Sequence, residues 1–323
     1  MTSTLRKTPG AWRAVLFLVI AATLIPELLI GSTPLSRINQ LLFQFPYYGS
    51  AALVIREAVV RLRINRAGLI LLGIAFGIVT EGLSLQSIFN PHFLNLDISY
   101  GRAVEVNWPW ALYMVGYHAV WSITIPVSLT ELVFRERRLE SWLGGVGLGI
   151  FLGLFVLMVV AFHAIFVKMS NYFAPAVPYG IAGILAGGLV GFGLRSRANE
   201  VATTRALPPP WMPGAFMFLT GIFWLMLYGE IFRPHHWMTP ACNISLGLAL
   251  SLGFALLLPR FAPAVAPDSH RYSLLAGGLA ANTAFGFVVV SGSTIDTSGQ
   301  IGLVVLLVPA LFVFGKRIVR RPQ

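Results

Sequence analysis

Ten long apolar runs, separated by short segments that hold most of the charge, constrain this chain more than any other feature. They lie near 14–31, 41–60, 67–88, 108–129, 142–167, 177–194, 211–229, 241–258, 272–290 and 299–315. A helix needs about 20 such residues to cross the hydrocarbon core, and only helices or closed barrels satisfy their backbone groups there. The spacing therefore predicts an all-α polytopic bundle of about ten transmembrane helices. The second run is the least regular, because Arg56 and Glu57 lie near its end, and the tenth is the shortest.

Basic residues test this partition, since Lys and Arg accumulate in cytoplasmic loops. With the N-terminus inside, only Arg37, Arg102, Lys168 and Arg233 of the 23 basic residues fall in outer segments. A missed or invented span would reverse the bias beyond it, so both termini are expected in the cytoplasm; a bacterial inner membrane is the default expectation for the host membrane and does not follow from the charge. The clustering also explains the net charge of +11 without nucleic acid, which is not an expected partner. With 11% charged residues and a mean hydropathy of +0.77, a soluble domain is excluded. The single Cys242 excludes an intramolecular disulfide. Arg6, Lys7 and Arg13 before the first run resemble a signal peptide, but without a small-x-small cleavage site the run is read as a retained helix.

The chain reads as one membrane domain over 1–323, and the loop 195–210, ending in three prolines, is the best boundary between halves 1–194 and 211–323. Internal symmetry is slight: Leu185-Ala-Gly-Gly-Leu189 recurs as Leu275-Ala-Gly-Gly-Leu279. Small residues four apart, which let helices approach closely, form stripes at Gly73/Gly77, Gly145/Gly149/Gly153 and Gly183/Gly187/Gly191. The first stripe continues to Glu81 and Ser84 and the second to His163, so both faces are expected to turn inward.

Ionisable residues inside spans are costly and mark functional sites. At 1.5 Å per residue, Glu81 lies roughly 10 Å from the outer end of its span, His118 roughly 15 Å from Trp108, and His163 roughly 6 to 8 Å from Lys168. Glu27 lies near the same level. The sequence thus points to an outward-facing polar site of Glu81, His118 and His163. These residue types suit a divalent metal such as zinc, or a general acid/base pair for hydrolysis within the membrane.

A Glu followed by His on later helices is also similar to membrane proteases of the CAAX-processing and bacteriocin-processing kind. The resemblance stops at that order: their adjacent glutamates followed by Arg are here Glu81-Gly82 ending in Gln86, and their Phe-x-x-x-His and His-x-x-x-Asn patterns do not appear. The other class is a secondary transporter or a membrane protein that binds a small molecule or lipid, with Pro26, Pro126 and Pro309 as interruptions of its helices. Membrane lipid and a small-molecule, lipid or peptide substrate are the expected partners. The oligomeric state is not legible.

Overall fold

The computed structural model describes residues 11–97, 99–197, 207–261 and 266–319. Arg6, Lys7, Arg205, Arg320 and Arg321, which belong to the expected charge pattern, lie outside the described residues. The helices are α1 (Trp12–Glu27), α2 (Leu41–Leu62), α3 (Arg66–Ile78), α4 (Trp108–Tyr117), α5 (Ile125–Val133), α6 (Gly145–Ser170), α7 (Ala176–Arg195), α8 (Met212–Gly229), α9 (Pro240–Phe261), α10 (Asp268–Val290) and α11 (Thr294–Val319). A π-helical turn, Val79–Ser84, extends α3, and another, His118–Thr124, fuses α4 and α5 into one rod. The protein is an all-α polytopic bundle. Among the described residues, eight rods are long and apolar enough to cross a membrane. The other two are α1, with only 16 residues, and α2, whose last two turns carry Arg56, Glu57 and Arg61.

Two boundaries differ from expectation. The third helical rod ends at Ser84 instead of near 88, because Gln86 takes a left-handed backbone (φ 55°) that turns the chain back. The last helix runs for 26 residues, longer than its apolar stretch, since polar Thr294–Ser298 form its first turn.

Solvent identity is written in the burial pattern. The most apolar of the eight rods, α6, has none of its apolar window buried, whereas the least apolar, Trp108–Val133, is 56% buried. That inverts the order of a water-soluble protein and fits a hydrocarbon exterior. α1, α2, α3, the α4–α5 rod and α10 form the interior, with α6, α7, α9 and α11 outside them.

Loops expected on one side share one end of the bundle. Asn65 N–H bonds Ser196 O at 2.9 Å, and His270 bonds Pro208 O at 2.8 Å. Arg56, wholly buried, donates to the carbonyls of Arg137, Arg138 and Glu140 and to Glu57, and its guanidinium stacks 3.5 Å from the Trp142 ring. Glu57 in turn accepts from Arg61 and from the Trp142 N–H. Farther out, Glu131 lies 3.6 Å from Arg271, and Asp268 lies 3.3–3.4 Å from Arg135 and Arg138. The charges that made the second span irregular are therefore the ties of this basic end.

The glycine stripes divide. Gly73 and Gly77 pack against the backbone of Ala119 and Val115, as expected. Gly145, Gly149 and Gly153 meet nothing within 4 Å, nor do Gly183 and Gly187, so the inward turn expected of the α6 stripe does not occur. The reason is helical arithmetic: α6 packs through Phe151, Phe155 and Phe162, and the rings of the last two meet Tyr47 and Phe76. Positions two residues apart lie roughly 200° apart on a helix, which sends the glycines outward. The repeated Leu-Ala-Gly-Gly-Leu is likewise not a structural repeat. Gly277 abuts the Gly214 backbone, while Gly187 and Gly188 face open space. Gly149→Leu is expected to shift stability by less than about 0.5 kcal/mol, measured by thermal unfolding in detergent micelles.

Candidate functional site

At the end of the bundle away from the arginines, the Gly73/Gly77 face does more than pack. Continued by four residues it reaches Glu81, and the close approach to α4 places Glu81 Oε1 2.8 Å from His118 Nε2. Both side chains are buried. Each belongs to a π-helical turn, a rare geometry that recurs at functional sites. The second turn has an evident cause: Pro126 lacks the N–H that would bond Ser122 O and its ring crowds that carbonyl, so the preceding helix widens.

Hydrogen bonds extend the pair in both directions. His118 Nδ1 lies 2.9 Å from Ser122 Oγ, Ser87 Oγ donates to Glu81 Oε2, and Trp110 Nε1 donates to Ser87 Oγ at 3.0 Å. Trp110, Ser87, Glu81, His118 and Ser122 thus form one chain from the start of α4 towards the middle of the bundle. An imidazolium beside the Glu81 carboxylate and a neutral His118 beside a Glu81 carboxylic acid differ by one proton moved across 2.8 Å, and in both Nδ1–H donates to Ser122.

His163 stands apart from this pair. It is half-buried, and its Nδ1 donates to Leu83 O at 2.8 Å, joined on that carbonyl by Tyr179. It braces the π turn that carries Glu81. Among the described residues no group of three or more His, Cys, Asp or Glu side chains is placed to hold a metal, so Glu81, His118 and His163 do not converge as zinc ligands.

Glu27 ends α1 with 8% of its surface exposed. Tyr48 OH donates to its Oε1 at 2.8 Å, and Thr33 and Ser32 donate to Oε2 at 2.7 and 3.0 Å. The last carbonyls of α1 are covered from other helices: Ile25 O accepts from Asn282, and Pro26 O from Tyr117. Between α1, α4 and α8 lies a small, partly open cavity of about 50 Å³, whose wall includes Glu27, Tyr48, Tyr117, His118, Trp224 and Tyr228. His118 therefore belongs both to the hydrogen-bonded chain and to the cavity wall.

Above the site the segment after the π turn is folded, with Asn107 N–H on Ile88 O and Arg102 on Phe89 O. A two-residue antiparallel pair, β1 (Arg102–Ala103) with β2 (Val106–Asn107), closes it. The buried Tyr100 stacks on His236 with ring centroids 3.7 Å apart, and Asp97 approaches the same imidazole at 3.4 Å. The hydroxyl and N–H of Ser99 hold the Asp97 carboxyl below the usual range, and burial pushes the Tyr100 phenol up to about 12. His92 and His235 remain exposed.

The model of an uncharacterized membrane protein family matches residues 15–186, more than half of the 323-residue chain. The chain belongs to that family. It is an integral, multi-pass membrane protein. No curated protein and no solved structure matches it. The part matched by the family model carries Glu27, Tyr48, Glu81, Ser87, His118 and Ser122, whereas Trp224, Tyr228 and Asn282 lie beyond it.

Sequence reasoning singled out Glu81, His118 and Glu27. It missed Ser87, Ser122 and Tyr48, because hydroxyls in an apolar helix are common and carry no depth or charge signal. Pro126 was the readable sign of the irregular turn beside His118.

Proposed function

We propose that this protein is a membrane-embedded carrier of the secondary-transporter class, in which a proton held by Glu81 and His118 is coupled to the occupant of the adjacent cavity. The observation that carries this reading is the double membership of His118. A shift of the proton between Glu81 and His118 changes the charge and hydrogen-bonding of the cavity wall, and an occupant acts back on the proton by the same route. By the positive-inside rule we take the arginine-rich end to be cytoplasmic and the cavity to lie in the outer half of the membrane, proposed to be a bacterial inner membrane.

Infrared difference spectroscopy on the purified protein in nanodiscs tests this. A carboxyl band that responds to pH is expected, absent in Glu81→Gln, and displaced in its pH response by Met114→Trp, which fills the cavity. A Glu81 band indifferent to pH, or unmoved by filling the cavity, overturns the reading.

One observation favours hydrolysis instead: Glu81, His118 and Ser122 follow the carboxylate, imidazole, hydroxyl order of nucleophilic hydrolases. Ser122 is wholly buried and absent from the cavity wall, so a substrate carbonyl has no approach to it. Covalent labelling of Ser122 by a fluorophosphonate, lost in Ser122→Ala, would reverse the order of preference.

A further inference from the structure

Glu27 poses a physical problem. Three hydroxyls donate to its two oxygens, the pattern of an ionised carboxylate, which only accepts. Yet among the described residues no Lys or Arg is ion-paired with it, in contrast to Glu57, Glu131 and Glu230, each of which has an arginine. A buried charge without a counter-ion costs several kcal/mol. Its position at the C-terminus of α1 deepens the problem, because the helix dipole already places partial negative charge there. Carboxylate and dipole together create a site of negative potential on the cavity wall, and no lysine or arginine among the described residues is paired with it.

The remainder of that wall selects among cations. A small inorganic ion wants several oxygen ligands at short range, but both oxygens of Glu27 are already engaged, and Tyr117, Trp224 and Tyr228 surround the space with rings. Aromatic walls with one carboxylate suit a cation whose charge is spread over carbon, which the rings attract through their π faces. We propose that the cavity binds a compact organic cation, a protonated amine or quaternary ammonium, with Glu27 as its counter-ion. This names the occupant that the proposed carrier function requires, and it rests on the cavity beside His118 being the ligand site.

The probe is tetramethylammonium chloride, compared by calorimetry on the nanodisc-embedded protein with tert-butanol as a neutral analogue and with sodium chloride at equal ionic strength. Tetramethylammonium is expected to bind at least about tenfold more tightly than either. Glu27→Gln is expected to remove most of that preference, and Trp224→Leu, which leaves the Glu27 hydrogen bonds in place, to weaken it several-fold. Equal binding of tert-butanol, equal binding of sodium, or a preference retained in folded Glu27→Gln overturns the proposal. Should Glu27→Gln not fold, the wild-type comparison with the two controls decides alone. The two readings fail separately: selective cation binding with a pH-indifferent Glu81 band sinks the proton coupling only, while a coupled band without cation preference sinks the cation site only.

Discussion

Arg56→Leu is expected to destabilise the bundle by about 3–5 kcal/mol, the range for removing one member of a buried, hydrogen-bonded ion pair. The side chain is wholly buried and holds three carbonyls of the segment joining α5 and α6, the Glu57 carboxylate and the Trp142 ring. Leucine fills part of the volume but leaves the Arg138 and Glu140 carbonyls without the Arg56 donor, Arg137 O with only Trp142 Nε1 and Glu140 N–H, and Glu57 with fewer of its partners. SDS titration or thermal unfolding in micelles measures the loss. Arg138→Leu serves as the control: its side chain is 39% exposed and meets Asp268 at 3.3 Å, so less than about 1 kcal/mol is expected. Similar effects for the two variants would show that the buried network does not hold this end of the bundle.

Gly77→Leu is expected to separate α3 from α4 and to dissolve the Glu81–His118 pair. A Cβ there would sit 2.8 Å from Val115 O and 2.9 Å from Val115 Cα. Both are backbone atoms, so the relief is movement of a helix and not of a side chain. Overpacking of this kind costs about 1–3 kcal/mol, and any displacement beyond a few tenths of an ångström lengthens a hydrogen bond now at 2.8 Å. The carboxyl infrared band of Glu81 reports the second effect independently of stability. Loss of both, set beside an unchanged Gly149→Leu, identifies the Gly73/Gly77 contact as the element that builds the site. An intact Glu81 band in Gly77→Leu would refute that role.

The pairing of Glu81 with His118 follows from a pattern already present in the linear chain, residues 73, 77 and 81 on one helical face. The same kind of pattern on α6 misled, because a stripe of glycines states that a face is smooth but not which way it turns. Phe155 and Phe162 decided the rotation, by offering more contact to Tyr47 and Phe76 than glycine offers to anything. His163 moved with that decision, from supposed third member of the site to a brace on Leu83. Depth along the membrane normal follows from counting residues, whereas azimuth depends on which neighbours a helix acquires.

The sequence by itself determined the medium and the alternation of loops between two ends, because apolar length and loop charge are local quantities that each segment carries with it. It also marked Glu27, Glu81 and His118 as costly enough in lipid to have a purpose. Only the tertiary structure decided how they are used. Two π turns aim Glu81 and His118 at each other, Ser122 within the second turn and Ser87 just beyond the first extend the pair, and α8, outside the part matched by the family model, supplies Trp224 and Tyr228 to the cavity. Such convergence depends on the rotation and packing of several helices at once, which no single stretch of sequence encodes.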